Sequence, residues 1–155
     1  MSEYSNLFDK KLIFYDVDAA DRNDLYKKIS DALLQKGFVK EDFYQALNSR
    51  EDEFPTGIVT KYLPIALPHA NPENVNKPFI AVVHTKKQIQ IQQMGTNEDE
   101  KTKNFFFLGI VEETQDLQVK LLQRFMELMN DQNFVEQFVA IKNPETIYDF
   151  LINHF

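Results

Sequence analysis

Three histidines, His69, His84 and His154, are the side chains in this sequence that can exchange a proton or act as nucleophiles near neutral pH. Cysteine is absent, which excludes a disulfide framework, a thiolate metal site and a cysteine nucleophile. No two histidines have the i, i+3 or i, i+4 spacing that presents two metal ligands together, so the spacing favours a site without metal. The sequence also lacks the GxSxG, Walker and GxGxxG patterns. Any chemistry therefore centres on an imidazole.

Local sequence predicts different roles for these histidines. His154 lies one residue from the end of the sequence on a predicted helix, where a cation meets the negative end of the helix dipole, and we interpret it as structural. His84 follows the apolar stretch 79–83 and precedes two lysines, which is typical of a solvated histidine at a strand end. Neither setting points to catalysis.

His69 has a more constrained setting. It follows a short apolar strand, predicted at 64–67, and lies between Pro68 and the loop 70–72, which contains a second proline. Two prolines restrict the backbone around a side chain at the edge of a buried strand, so the site is pre-organised and accessible. A histidine that is merely hydrogen-bonded at a strand terminus remains the alternative interpretation.

A helix before this strand ends in a cation. Phe43, Ala46, Leu47 and Arg50 have i, i+3, i+4 and i+7 spacing, so the stripe that begins apolar ends on Arg50 and directs it inward. The alternative is an ordinary surface arginine that pairs with Glu51 or Glu53.

Strands and helices alternate along the remaining sequence. We predict helices at 21–37, 43–50, 115–130, 133–141 and from 143, and strands at 12–15, 64–67, 79–83, 88–92 and 105–111, the last of them central. The strictly alternating 88–92 segment is predicted to be an edge or hairpin strand, and 94–103 a solvated loop. The pattern predicts one α/β domain over residues 1–155, a layered fold with a mixed, mostly parallel sheet of about five strands and helices on both faces.

Composition limits the partners. The 155 residues are 43% hydrophobic and include 14 Phe, which is ample material for a core. Seventeen basic against 24 acidic residues give a formal charge of -7, which argues against nucleic-acid binding. No apolar run is long enough to span a bilayer and no signal sequence begins the chain, so we expect a soluble cytoplasmic protein.

Two blocks of sequence resemble a known family. Arg50-Glu51 through Pro55-Thr56-Gly57, followed by Ile65-Ala66-Leu67-Pro68-His69, is similar to the phosphorylation-site signature of the EIIA components of the sugar phosphotransferase system (PTS), type 2. The resemblance continues through the 75–82 strand and the Leu-rich helix. Lys61 and Tyr62 depart from the apolar residue and Gly or Ala usual before the core motif. Gln118 stands where fructose and mannitol members carry a second histidine, so the sequence looks more like the galactitol branch.

The resemblance implies a phosphoryl carrier with His69 as the acceptor. The implied donor is the phosphocarrier HPr, and the implied acceptor is a cysteine of a IIB component, coupled to sugar transport by a membrane IIC component. No cofactor or metal is implied. In-line transfer requires positioning and charge compensation, for which Arg50 is the candidate cation.

Three further residues are candidates for the same site. Thr56 and Gly57 offer a hydroxyl and a backbone N–H to the phosphoryl group, or form a turn that needs glycine. Gln118 lies on a buried stripe and needs a partner, which is either His69 or its phosphoryl group, or nearby backbone. An apolar patch of Ile65, Leu67 and Phe54 would suit transient protein partners.

Two other functions stay open from the sequence. One is a regulatory module in which phosphorylation of His69 switches affinity for other proteins. The other is a metal-dependent hydrolase built on His69, His84 and acidic side chains.

Overall fold

The computed structural model describes residues 4–155, in which five strands form one sheet in the order β1-β4-β5-β3-β2. The strands are β1 (Phe8–Val17), β2 (Gly57–Val59), β3 (Pro64–Ala66), β4 (Phe79–Gln92) and β5 (Asp99–Gly109). The helices are α1 (Arg22–Gln35), α2 (Phe43–Glu53), α3 (Gln115–Met129), α4 (Gln132–Ala140) and α5 (Pro144–His154), with short 3-10 turns at Ser5–Leu7, Pro72–Asn74 and Glu112–Thr114.

The sheet is mixed, as predicted. β1 pairs parallel with β4 and β3 parallel with β5, whereas β4 with β5 and β2 with β3 are antiparallel. The pairings are therefore divided evenly rather than mostly parallel, because β4 and β5 form a long hairpin. β5 is the middle strand, which confirms the prediction that the Phe-rich strand is central.

Helices cover both faces of the sheet, and β5 shows how the sequence divides between them. Phe105 and Phe107 pack on the side of α1 and α2, whereas Phe106 and Leu108 pack on the side of α3, α4 and α5. All four side chains are buried. A strand that is buried on both faces has a continuous run of apolar residues. The sequence therefore does not show which of its side chains point to which face of the sheet.

Predicted capping residues begin two of the helices. The Asp21 side chain accepts a hydrogen bond from the Asp24 backbone N–H at 2.8 Å, and Asn143 accepts one from Thr146 at 3.1 Å. Past the end of α1, Gly37 has φ +83°, a left-handed conformation that favours glycine. These local signals fix the helix boundaries close to their predicted positions.

The hairpin differs from its predicted form. Segments 79–83 and 88–92 belong to one strand, β4, whose register shifts by a bulge between His84 and Ile89. The predicted loop 94–103 contains the first half of β5, which pairs with 89–92. Ile89, Ile91 and Thr102 are buried, whereas the residues beside them in the chain are mostly exposed. The many polar residues on the exposed face led to the prediction of a loop over 94–103. The predicted hairpin character of 88–92 is confirmed.

No helix within residues 4–155 has the length and apolar character needed to cross a membrane.

Candidate functional site

His69 lies immediately beyond β3, beside the central strand. The Leu108 backbone N–H of β5 donates to the Pro68 carbonyl at 2.9 Å, and His69 forms an isolated parallel bridge with Leu108. Pro68 has no N–H, so it ends the short strand while its carbonyl still anchors the segment to β5. The side chain is half-buried at the place that the sequence predicted.

Hydrogen bonds fix the tautomer of His69. Its Nδ1 lies 2.8 Å from the Leu67 carbonyl oxygen, which can only accept, so Nδ1 carries the proton and donates. Nε2 then holds a lone pair, and the Gln118 side-chain amide donates to it at 3.3 Å. Gln118 lies in the first turn of α3, 49 residues away in sequence. The imidazole therefore carries its proton on Nδ1 and its free lone pair on Nε2, on the side of Gln118.

The surroundings keep this imidazole neutral. Burial lowers the pKa of His69 below its ordinary value, the hydrogen bond to Leu67 opposes that shift, and the Arg50 guanidinium lowers the pKa further. A neutral imidazole near pH 7 retains the Nε2 lone pair, which a nucleophile requires.

Arg50 lies in the last turn of α2 and faces the same site. Its Nη1 donates to the Asn71 side-chain oxygen at 3.2 Å, and its guanidinium lies 5.7 Å from the Phe54 ring centre. Its Nε is buried and has no hydrogen-bond partner within the described residues. Among residues 4–155 Arg50 forms no ion pair with Glu51 or Glu53, because the Glu51 carboxylate is engaged elsewhere. Donor capacity therefore remains on Arg50.

Glu51, which the alternative interpretation of Arg50 treated as a surface partner, is a buried carboxylate. It is 4% exposed and accepts from the Tyr26 hydroxyl at 3.0 Å, the Thr56 backbone N–H at 2.6 Å and the Thr56 hydroxyl at 2.8 Å. Burial raises the pKa of Glu51, and the hydrogen bonds from Thr56 and Tyr26 oppose that rise. This carboxylate ties the 54–57 loop to the end of α2. An acidic residue in the last turn of a helix gave no sequence signal for burial.

Thr56 and Gly57 have different surroundings from those predicted. Both donors of Thr56, its N–H and its hydroxyl, are taken by Glu51, and its side chain is buried. Gly57 lies against the hairpin: a Cβ here would be 2.4 Å from the Gln92 carbonyl oxygen, and its own carbonyl accepts from Met94 N–H at 2.7 Å. Glycine is therefore required by the close approach of two backbones. Thr56 lines the same cavity as His69 but has no free donor, whereas Gly57 is not among the residues that line that cavity.

His69 lines a mostly apolar cavity of about 250 Å³. Its polar lining comes from Arg50, Thr56, His69 and Gln118, and its apolar lining from Phe54, Pro55, Leu67, Met94, Leu108 and Leu122. Met94, at the tip of the β4–β5 hairpin, was missed because it lies in a polar stretch of sequence. Ile65, predicted in the surface patch, is instead fully buried in the core, while Phe54 is 58% exposed.

The other two histidines lie outside this cavity. His84 lies within β4, not at a strand end, and its ring stacks on Tyr15 with centroids 4.6 Å apart. His154 Nδ1 donates to the Phe150 carbonyl at 2.7 Å at the end of α5. Within residues 4–155, His, Asp and Glu side chains form no group of three or more that could hold a metal ion.

Comparisons with known proteins agree on one family. The model of the phosphoenolpyruvate-dependent sugar phosphotransferase system, EIIA 2, matches residues 6–154. The galactitol-specific EIIA component of Escherichia coli strain K12 is 28% identical over 142 residues, which cover 92% of this chain and 89% of that protein.

Solved structures share the fold. The nitrogen regulatory protein IIA-Ntr from Neisseria meningitidis has a TM-score of 0.75 at 14% identity, covering 97% of this chain and 99% of that chain. A chain in the Escherichia coli complex of enzyme IIAMTL with phosphorylated enzyme IIBMTL has a TM-score of 0.74 at 15% identity, covering 95% and 99%. Since the family model spans nearly all of the chain, the protein belongs to the type 2 EIIA family of the phosphoenolpyruvate-dependent sugar phosphotransferase system.

Proposed function

We propose that His69 is the phosphoryl acceptor of this PTS component and that its Nε2 atom forms the bond to phosphorus. The observation that carries the proposal is the hydrogen bond from Nδ1 to the Leu67 carbonyl at 2.8 Å, which leaves the Nε2 lone pair as the nucleophile in the cavity. Family membership supplies the reaction class, phosphoryl transfer.

Phosphoryl transfer to His69 requires no separate proton transfer. The Nε2 electron pair forms the new N–P bond while the bond between phosphorus and the donor's nitrogen breaks and its electron pair returns to that nitrogen. Nδ1 keeps its proton, so the phosphorylated ring gains positive character, which the Leu67 carbonyl stabilises through the existing hydrogen bond. In the next transfer a thiolate attacks phosphorus and the Nε2 electron pair returns to the ring.

We expect two side chains, those of Arg50 and Gln118, to stabilise the negative charge of the phosphoryl group. Arg50 has a buried Nε with no partner in the described part of the chain, and its guanidinium lines the cavity. Gln118 donates to Nε2 in the free protein and would transfer that donor to a phosphoryl oxygen. Phosphoryl transfer depends mainly on positioning and electrostatic stabilisation, which a fixed imidazole, one cation and one amide supply. Thr56 and Gly57 then act through loop geometry.

We further propose HPr as the donor and a cysteine of a IIB component as the acceptor, with coupling to a membrane IIC component and the cytoplasm as the place of action. Two exposed apolar side chains, Phe54 and Met94, line the cavity, and a neighbouring cavity that shares Met94 adds the exposed Val59 and Met126. Such a surface suits two partners that dock in turn and exclude water from the labile N–P bond. The 28% identity to a galactitol-specific component makes galactitol the sugar to test first.

The same geometry supports a regulatory role as the second candidate function. A phosphoryl group adds a charge of about −1.5 to −2 at the centre of an apolar surface, which would change its affinity for a protein partner. Onward transfer distinguishes the two functions: a carrier passes the group to a IIB cysteine, whereas a regulatory module holds it.

Labelling by phosphorylated HPr tests the proposal, with the other histidines as matched controls. Wild-type protein, His84→Ala and His154→Ala should each take up one acid-labile, alkali-stable phosphoryl group, and His69→Ala should take up none. Uptake by His69→Ala at the wild-type level would refute the assignment.

A further inference from the structure

The carboxylate of Glu51 joins three segments of the chain beside the candidate site. Glu51 belongs to α2 and accepts from the hydroxyl of Tyr26, in α1, at 3.0 Å. The 54–57 loop supplies the other donors, the Thr56 backbone N–H at 2.6 Å and the Thr56 hydroxyl at 2.8 Å. Because these donors all point to one buried carboxylate, the position of the loop depends on Glu51.

One end of this loop lies against the Arg50 guanidinium. The Phe54 backbone N–H donates to the Arg50 carbonyl at 2.6 Å, and the Phe54 ring centre lies 5.7 Å from the guanidinium. The Phe54 side chain is 58% exposed, so packing does little to fix the ring. Its place beside the guanidinium therefore depends on the backbone of the loop, which Glu51 holds.

The other end of the loop is bonded to the segment that leads into His69. The Leu67 N–H donates to the Thr56 carbonyl at 3.3 Å, and the Leu67 carbonyl in turn accepts from Nδ1 of His69 at 2.8 Å. Thr56 thus donates twice to Glu51 and accepts once from the residue that orients the imidazole. The loop therefore connects the side chain that carries the positive charge to the side chain that carries the lone pair.

We propose that Glu51 is a positioning residue for phosphoryl transfer, whose carboxylate sets the placement of the Arg50 guanidinium relative to Nε2 of His69. Glu51 acts through the 54–57 loop and is not among the residues that line the cavity at His69. Phosphoryl transfer depends on such placement, and a displacement of about 1 Å can cost about 10²-fold in rate. The inference rests on the proposed function of His69.

Substitutions of similar shape remove single hydrogen bonds from this network. Glu51→Gln and Thr56→Val should each lower the maximal rate of uptake, at saturating phosphorylated HPr, by about tenfold. Tyr26→Phe, which keeps the ring and removes one donor to Glu51, should lower it by about threefold. Thr56→Ser keeps the hydroxyl and should restore most of the rate. Circular dichroism establishes the temperature at which each variant is folded, and rates are measured there.

A core substitution on the other face of the sheet controls for lost stability alone. Ile147 is buried in α5 and belongs to the core on the side of α3, α4 and α5, whereas Glu51 lies in α2. Ile147→Val removes one buried methylene group and should leave the maximal rate unchanged.

A double-mutant cycle shows whether Glu51 acts through Arg50. In the Arg50→Ala background the guanidinium is already absent, so Glu51→Gln should slow uptake further by about threefold or less. A further loss of about tenfold in that background would show that Glu51 acts independently of Arg50, which would overturn the proposal.

The pKa of His69 in the unphosphorylated protein gives a readout that lost stability alone would not change. Burial and the Arg50 guanidinium both lower that pKa. It should therefore rise in Glu51→Gln and in Thr56→Val, in which the loop and the guanidinium are free to move, and stay at the wild-type value in Ile147→Val.

This NMR titration needs no phosphoryl donor, so it separates the two proposals. Uptake by His69→Ala would refute the acceptor assignment, whereas an unchanged His69 pKa in both Glu51→Gln and Thr56→Val would overturn the positioning role. A wild-type maximal rate in both folded variants would also overturn it.

Discussion

His69 and His84 both lie beside the central strand β5, four residues apart in register, yet their ring nitrogens have different partners. The protein fixes both nitrogens of His69, through the Leu67 carbonyl and the Gln118 amide. It fixes the ring of His84 by stacking on Tyr15, but Nδ1 of His84 has no hydrogen-bond partner among the described residues and lies 3.8 Å from the Asp16 carboxylate.

The difference separates a ring whose two nitrogens have fixed hydrogen-bonding roles from one whose Nδ1 has no hydrogen-bond partner among residues 4–155. A nucleophilic imidazole needs one nitrogen committed as N–H so that the other keeps its lone pair, and His69 obtains this from its own backbone two residues away. No hydrogen bond within residues 4–155 fixes Nδ1 of His84 as donor or acceptor. Burial lowers the pKa of both histidines, so the pKa direction alone would not have told them apart.

Removal of the cation at the His69 site should have the largest effect. Arg50→Ala should slow phosphoryl uptake from HPr by about 10²–10³-fold, because the transition state loses its electrostatic partner. Folding should be retained, since a half-buried helix-end cation adds little stability. Rapid-quench labelling measures the rate. An unchanged uptake rate would remove Arg50 from the site.

Glu51→Gln tests the buried carboxylate that holds the loop beside His69. The amide offers donors where Tyr26 and Thr56 also donate, so we expect a loss of about 1–3 kcal/mol in the free energy of unfolding. Glu53→Gln, two residues further on an exposed surface, should change it by less than about 0.5 kcal/mol. Urea titration followed by circular dichroism gives both values, and equal stabilities would show that the Glu51 network is not stabilising.

The pH dependence of uptake should reveal the lowered pKa of His69. Burial, and to a lesser extent Arg50, place that pKa below the ordinary value of about 6.5, so uptake should be constant from pH 8 to about 6.5 and fall only at lower pH. The unfolded chain binds this proton more readily than the folded protein does. The free energy of unfolding should therefore also decrease as the pH drops below about 6.5.

The Arg50→Ala variant tests how much Arg50 contributes to the lowered pKa of His69. In Arg50→Ala the His69 pKa should rise, because a nearby positive charge has been removed, and that of His84 should not move. Histidine ring resonances in an NMR titration report both. A fall in the His69 pKa would contradict the electrostatic role of Arg50.

Gln118 should have the smallest effect. Gln118→Ala removes one amide donor 3.3 Å from Nε2, and we expect uptake to slow by about tenfold or less. Gln118→His restores a donor and should be tolerated, as in relatives with a second histidine. Loss of folding in Gln118→His would instead assign this residue to packing, and thermal melts of both variants decide the matter.

Local chemistry made much of this fold predictable. The caps at Asp21 and Asn143, the glycine after α1 and the apolar run of β5 are signals within a few residues of each other, and the structure confirms the elements they predict. The continuity of β4 was missed because its two halves have different burial: one is buried on both faces and the other on one.

The residues of the candidate site also differ in how far their positions could be predicted from local sequence. The prediction of His69 as the acceptor rests on its two prolines and the family resemblance, and that of Arg50 on helical spacing and the same resemblance. The burial of Glu51 depends on Tyr26, 25 residues away, and the position of Met94 depends on a backbone contact with Gly57. Such long-range contacts have no signature in local spacing, and for the same reason Thr56 was assigned a phosphoryl contact when its donors belong to Glu51.

The position of phosphorus on the histidine ring decides whether Nε2 of His69 is the phosphoryl acceptor. Protein with ¹⁵N-labelled histidine, phosphorylated by HPr, can be studied by long-range ¹H–¹⁵N correlation and ³¹P coupling. We expect phosphorus on Nε2 of His69 and a proton on Nδ1, with His84 unmodified. Phosphorus on Nδ1 of His69, or on His84, would contradict it.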